Sequence, residues 1–301
     1  MLTRGQTLGA DVMSAILSDG YVLIEKFLDQ DQLARARDHL ATILPTYDQW
    51  EADTQRWGVI DDSPRTHFTM HQFPSFPAEL HLNVLRPELV DFARRFVRTD
   101  DVILNQSIIS AKYSGHHDED QELHTDYTNH SLAWVPQDYL AGMLYYTDVT
   151  DENGPTHVVS RKHTGDTPMF PRFIPRERDP ELYGHEHPLV APAGTLLLYT
   201  MSTFHRGSRV TGERQHRFNH HFCYRPAGIE WAGWSAWPQG GSDEQMSRLL
   251  TMCTVEQRTA MGFPAPGDAY WTPTNLAGVA LRYPDMDRGP YQQAHARSPV
   301  Q

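Results

Sequence analysis

Long apolar runs are missing from this 301-residue chain. No stretch approaches the roughly eighteen residues that a membrane helix needs. Met1 to Ala10 lack the apolar centre of a signal peptide. Cysteine is scarce as well. Cys223 and Cys253 are the only two, too few for a disulfide framework or a four-thiolate zinc site. A reduced, cytoplasmic setting is the expectation. Positive charge is outnumbered, with 26 Lys and Arg against 38 Asp and Glu and a net charge of −12. There is no basic run, so nucleic acid is not expected as a partner, and neither is a membrane. Repeats and low-complexity segments are absent. Histidine, by contrast, is abundant at 17 residues. As a common metal ligand and general base, it raises the expectation of a metal or acid–base site without locating one.

The chain reads as one domain in three parts: a helical support over 1–100, a strand-rich core over 101–226 and an aromatic segment over 227–301. In the first part, Asp29 and Gln32 have the spacing of a capping box, with Leu28 and Leu33 as its hydrophobic staple. Leu33, Ala36, Leu40 and Leu44 follow at helical period. Tyr21-Val-Leu-Ile24 reads as a short strand. Pro87 opens a second helix, a position that suits its fixed φ. In the second part the period drops to two. Val102–Leu104, Ser107–Ile109, Gly142–Tyr146, His157–Val159, Gly194–Tyr199 and Arg217–Tyr224 read as short strands separated by turn residues. Such strands without long helices between them point to a sandwich or barrel, the jelly roll included. In the third part, Ser242…Gln245 and Thr254…Gln257 signal two short helices. Trp231, Trp234, Trp237, Tyr270 and Trp271 are expected to pack over the core. The three tryptophans, spaced by three, are also candidates for a substrate mouth.

Residues i and i+2 of a strand share a face. His124 and Asp126 in Gln121-Glu-Leu-His-Thr-Asp126 would therefore aim an imidazole and a carboxylate at one point. A second histidine from another strand would complete a facial triad suited to iron(II) and oxygen. The pair is weak evidence alone, because chance supplies about one His-x-Asp in such a chain, and His116-His-Asp118 is a second copy in a polar loop. His205 follows the apolar strand at 194–199 and is the candidate third ligand. In Arg217–Tyr224, Phe218, His220, Phe222 and Tyr224 share one face. Arg217, Asn219, His221 and Cys223 share the other, which suits a polar pocket better than a plain core. An inward arginine suits a carboxylate.

Leu123-His-Thr-Asp126, Tyr146-Thr-Asp-Val-Thr-Asp-Glu-Asn-Gly-Pro155, Val158-Val-Ser-Arg-Lys-His163 and His205-Arg-Gly-Ser208 followed by Arg217 together resemble the phytanoyl-CoA dioxygenase family. The opening Gly20-Tyr-Val-Leu-Ile-Glu-Lys-Phe-Leu28 resembles it too, so the likeness covers about residues 10–226. It implies a mainly β fold with flanking helices around a double-stranded β-helix, or jelly-roll, core. It implies iron(II), 2-oxoglutarate as cosubstrate and O2, with His124, Asp126 and His205 as the metal ligands and catalytic centre. Asp126 implies hydroxylation or a related oxidation of a small-molecule substrate, since halogenases resembling this family lack that carboxylate. An arginine beyond His205 would hold the far carboxylate of 2-oxoglutarate. Arg206 stands as an insertion in the family's His-Gly-Ser, which shifts the expected arginine to Arg217, with Arg214 as the other candidate. Lys112 and Gln106 resemble positions near the cosubstrate, and would otherwise be ordinary strand residues. His163 reads as structural. A redox-neutral metal jelly roll and a non-catalytic binding jelly roll are the alternatives. Arg65, His67 and His71 are candidates to meet an acidic substrate.

Overall fold

The structure, a computed structural model, describes residues 2–4, 8–57, 70–115, 119–126, 139–165, 167, 173–227 and 244–297. Its centre is a pair of facing sheets. The larger sheet is built from β1 (Leu2–Arg4), β2 (Tyr21–Glu25), β3 (Met70–Gln72), β4 (Val102–Tyr113), β6 (Leu140–Tyr145), β10 (Leu196–Thr200) and β12 (His216–Pro226). Their spatial order is β1-β2-β10-β6-β12-β4-β3. The smaller sheet holds β5 (Leu123–His124), β7 (Thr156–Val159), β8 (Phe173–Ile174), β9 (Glu186–Pro188) and β11 (His205–Gly207), in the order β8-β5-β11-β7-β9. Apart from the parallel β1–β2 contact, the pairings are antiparallel. This is a jelly roll, as the strand pattern and the resemblance imply.

Side-chain alternation divides the large sheet into two faces. Outward-facing Ile109, Phe218, Phe222, Tyr224, Leu140, Leu144, Leu196 and Leu198 join a core with residues of both flanking segments, including Leu33, Phe92, Leu249 and Trp271. Inward-facing Ala141, Met143, Tyr145, Leu197, Tyr199 and Cys223 join a second cluster with Val158 of the small sheet. The helices start where capping chemistry places them. In α1 (Ala10–Asp19), the C-cap Gly20 adopts φ +85°, the left-handed region open to glycine. In α2 (Gln30–Leu40), Asp29 accepts from the backbone of Gln32 while the Gln32 side chain caps Asp29. Two short helices follow, α3 (Tyr47–Ala52) and α4 (Thr54–Trp57), and then α5 (Ala78–Leu82). The next, α6 (Pro87–Val97), opens on its proline and buries Leu89, Phe92 and Phe96. The chain adds α7 (Pro180–Gly184) and then α8 (Glu244–Met252), α9 (Val255–Ala260), α10 (Pro273–Arg282) and α11 (Gly289–Arg297). The last two carry no sequence signal as clear as the capping box at Thr254 and Gln257. No helix among the described residues is long and apolar enough to cross a membrane.

Three features depart from the sequence reading. The strands expected at Val102–Leu104 and Ser107–Ile109 are one strand, β4, running on to Tyr113. It bulges opposite Cys223 and Tyr224: Gln106 pairs with Cys223, Leu104 pairs with Tyr224, and Asn105 is the extra residue. Second, His71 pairs with Ile109 on the outward, helix-covered face. It therefore faces away from the space between the sheets, which removes it as a contact for substrate there. Third, the described residues of the C-terminal segment hold four helices rather than two. Arg65, His67, the His116–Asp118 pair, Trp231, Trp234 and Trp237 lie outside the described residues.

Candidate metal centre

β5 and β11 are hydrogen-bonded neighbours, and His124 stands directly opposite His205 in their register. Two residues on from His124, Asp126 turns back toward both rings. The facing ligand atoms of His124, Asp126 and His205 lie within 4.8 Å of one another, and no other cluster of metal-ligating side chains occurs among the described residues. His205 Nε2 stands 3.4 Å from Asp126 Oδ2, and His124 Nε2 stands 3.9 Å from Oδ1. The far nitrogens are tied to the backbone, His124 Nδ1 to the Glu122 carbonyl at 2.9 Å and His205 Nδ1 to the Thr203 carbonyl at 3.0 Å. Donation from each Nδ1–H leaves the Nε2 lone pairs aimed at the carboxylate, the tautomer that a metal requires. Both histidines are about 5% exposed. Two imidazoles and one carboxylate on one side of a point fit a divalent metal with open positions opposite.

Tyr199 completes the support. Its hydroxyl donates to Asp126 Oδ2 at 3.1 Å, and its ring lies edge-on to His205. Burial and the neighbouring Asp126 charge push its pKa far above the usual phenol value, so it acts as a donor. Sequence reading did not single it out, because Leu196–Thr200 is buried on both faces and its run of leucines gives no alternation from which to choose an inward face.

Inward-facing residues of β12 run past this centre. His221, in the middle of the strand, faces inward between Arg217 and Cys223, its Nε2 hydrogen-bonded to Ser110 Oγ at 3.0 Å. Arg217 is 4% exposed. Its Nη1 donates to the Gly154 carbonyl, and its Nε is buried without a hydrogen-bond partner. Burial lowers its pKa. Near its guanidinium, the Tyr145 hydroxyl is fully buried beside Thr156. A buried guanidinium N–H without a protein partner is costly unless an anion arrives, and with a phenol beside it the place fits a carboxylate.

The Asn153-Gly-Pro155 turn presents the carbonyl that Arg217 uses. Asn153 holds the turn through Thr150 N–H and the Asp148 carbonyl. Gly154 has φ +76°, and a Cβ there would stand 2.9 Å from the Ser208 carbonyl, so glycine alone fits. Lys112 pairs with Arg217 on the same face. Its ammonium donates to the carbonyls of Ser208 and Glu119, joining the two sheets at this end. Gln106 stands six residues away along β4, opposite Cys223, and so at the other end of the pocket.

Arg214 is elsewhere. It occupies a turn with φ +55°, and its exposed guanidinium is ion-paired with Asp48 and Glu51. Its charge is neutralised on the surface, which removes the basis for the alternative anchor. Arg206 follows His205 in β11 and points the opposite way, into paired contacts with Glu186 and Asp120. Strand alternation thus absorbs the inserted arginine without disturbing His205. His163 stacks on His185 at 4.2 Å and is not one of the three converging ligands.

Solved structures share the fold. One is the non-heme alpha-ketoglutarate-dependent carbocyclase SnoK from nogalamycin biosynthesis, at 19% identity and TM-score 0.56, covering 75% of this chain and 87% of that one. HygX from Streptomyces hygroscopicus, with nickel and 2-oxoglutarate bound, aligns at 17% identity and TM-score 0.54 over 74% and 88%. The apoform of EctD from S. alaskensis aligns at 20% identity and TM-score 0.56 over 73% and 77%. At such identities the likeness establishes the fold. Among curated proteins nothing matches. The profile of the phytanoyl-CoA dioxygenase family matches residues 16–218, from α1 through the metal-centre strands to β12. With more than half of its length inside that match, the chain belongs to the phytanoyl-CoA dioxygenase family.

Proposed function

We propose that the protein is an iron(II)- and 2-oxoglutarate-dependent dioxygenase, hydroxylating or otherwise oxidising an unactivated C–H bond of a small molecule. The observation that carries this reading is the pairing of the His124–Asp126–His205 cluster with a buried Arg217 that has no acidic partner among the described residues. Bound to these side chains, iron would supply the coupled oxidation of 2-oxoglutarate, to succinate and CO2, and of the substrate.

The chain's own residues do the positioning. His124, Asp126 and His205 hold the metal and leave the opposite side open to ligands. Tyr199 fixes the rotation of the Asp126 carboxylate through its hydrogen bond. Arg217 receives the far carboxylate of 2-oxoglutarate, with Tyr145 as a second donor and Gly154 as the fixed stop behind the guanidinium. Lys112 keeps this end closed by joining the sheets. The walls are apolar (Ala141, Met143, Leu197 and Cys223), which limits water around the reacting atoms. Cys223 and Cys253 are both buried free thiols, and a cytoplasmic setting belongs to the same proposal.

Calorimetric titration of 2-oxoglutarate into nickel-loaded protein tests the reading, with His205→Ala as the control. Binding that needs both the metal and His205 is the expected result. A redox-neutral metal jelly roll would bind the metal and ignore 2-oxoglutarate, and that outcome would overturn the proposal.

A further inference from the structure

Arg217 is one of two inward arginines on β12. The other is Arg225, eight residues on and on the same face, since Tyr224 between them points out to the Val84 carbonyl. Arg225 is 7% exposed. Among the described residues it makes no ion pair with an acidic side chain. Its Nε donates to Asn105 Oδ1 at 3.0 Å, and its Nη1 to the Pro226 carbonyl at 2.9 Å. These bonds fix the guanidinium in place, and among the described residues Nη2 makes no hydrogen bond. Asn105 is the bulged residue of β4, with Gln106 beside it opposite Cys223. The bulge thus gathers an arginine, an asparagine and a glutamine at one end of the sheet's inward face, where polar groups need partners.

The placement relative to the metal centre is readable from the strand. At about 3.3 Å per residue, Arg217 and Arg225 are about 26 Å apart along β12. The metal centre lies between them: Tyr199, whose hydroxyl bonds Asp126, pairs with Ala141 of β6, and Ala141 pairs with Cys223 of β12. That row is six residues from Arg217 and two from Arg225. On the oxygenase reading, 2-oxoglutarate fills the Arg217 side. The Arg225 side is left for the molecule that is oxidised.

We propose that Arg225 is a substrate-binding residue and that the primary substrate carries a carboxylate, received by Arg225 Nη2 with Gln106 alongside. A buried arginine held by neutral partners is an electrostatic deficit that an anion corrects. The proposal rests on the oxygenase reading for which half of the pocket is free. The contact itself needs only the geometry of β12 and the bulge.

Saturation-transfer NMR tests it, with zinc-loaded protein, saturating 2-oxoglutarate, and butanoate and butanamide as probes. Butanoate should show transfer and butanamide should not. Arg225→Gln removes the charge while keeping a group able to bond Asn105. Butanoate should bind this variant roughly 10- to 100-fold more weakly, the loss of one charged hydrogen bond. Arg225→Lys should recover part of the loss. The 2-oxoglutarate signal and the melting temperature should hold in both variants, which a purely structural role for Arg225 would not allow. Equal binding of the two probes, no butanoate signal, or undiminished butanoate binding by Arg225→Gln would each overturn the proposal. A missing 2-oxoglutarate signal in the wild type would instead count against the oxygenase reading. Butanoate titrated alone would then still decide the Arg225 contact.

Discussion

Replacing Arg217 by Met should move two quantities in opposite directions. Arg217 is buried, has one protein hydrogen bond from Nη1 to Gly154, and leaves Nε without a partner. In the ligand-free protein this is an expensive side chain. An unsatisfied buried donor costs about 1–3 kcal/mol, and a hydrogen bond to a charged group returns about 1.5–3 kcal/mol. Exchange of buried charge for an apolar side chain of similar volume is often neutral or stabilising by about 1–4 kcal/mol. The ligand-free Arg217→Met protein should therefore melt at or a few degrees above the wild type, since about 1 kcal/mol shifts a chain of this size by roughly 2–4 °C. With 2-oxoglutarate the sign reverses. Removing one partner of a buried charged pair costs about 2–5 kcal/mol, which is a loss of about 30-fold or more in affinity. Scanning calorimetry with and without 2-oxoglutarate, on nickel-loaded protein, reads both effects. A variant that melts lower but binds 2-oxoglutarate as tightly as the wild type would refute the reasoning, because Arg217 would then be a structural strut. Arg214→Ala is the companion measurement: its guanidinium is engaged by Asp48 and Glu51 at the surface, so 2-oxoglutarate affinity should not change.

Further predictions follow from single contacts. Gly154→Ala forces a side chain into φ +76° and against the Ser208 carbonyl. It should cost about 1–2 kcal/mol from the backbone alone and weaken 2-oxoglutarate binding; an unchanged melting curve would contradict this. Tyr199→Phe removes the tyrosine's hydrogen bond to Asp126 and should weaken metal affinity about 10- to 100-fold in a chelator competition, whereas unchanged affinity would show that Asp126 is oriented by other means. Stability should also fall as acid is added. His81 and His220 are fully buried around Ser107, with Tyr146 on the far side of His220. Burial lowers His81 to about 3 and His220 well below its ordinary value. The unfolded chain therefore binds protons first. The neutral pair contributes fully above about pH 6.5, and that contribution is lost progressively as pH falls from there toward 3, at up to about 1.4 kcal/mol per unit for each histidine. Denaturant midpoints at pH 7, 6 and 5 should decline accordingly and decline less in His81→Gln. A flat profile in the wild type would contradict the assignment.

The legible parts of the fold are those in which one local pattern decided one local outcome. Asp29 with Gln32, Pro87, and the alternation in Arg217–Tyr224 were read correctly, because capping and strand period act within a few residues. The same alternation placed Arg217 inward and set His220 against the helices. Tyr199 was hidden in a strand buried on both faces. The bulge at Asn105 was hidden because it exists only relative to β12: Val102–Tyr113 reads as two strands until Cys223 and Tyr224 are laid against it. Arg206 looked like a disturbance of the metal motif and proved to be its outward neighbour, bonded to Glu186 and Asp120. His71 was misjudged because three residues of β3 carry too little pattern to choose a face.

Succinate formation from 2-oxoglutarate tests the central claim most directly. Protein is loaded with iron(II) without air, oxygen is admitted, and succinate is measured for the wild type and Asp126→Ala. Slow succinate release by the wild type, absent from the variant, is the expected result. Release by Asp126→Ala at the wild-type rate, or a wild type that neither forms succinate nor binds 2-oxoglutarate, would contradict it.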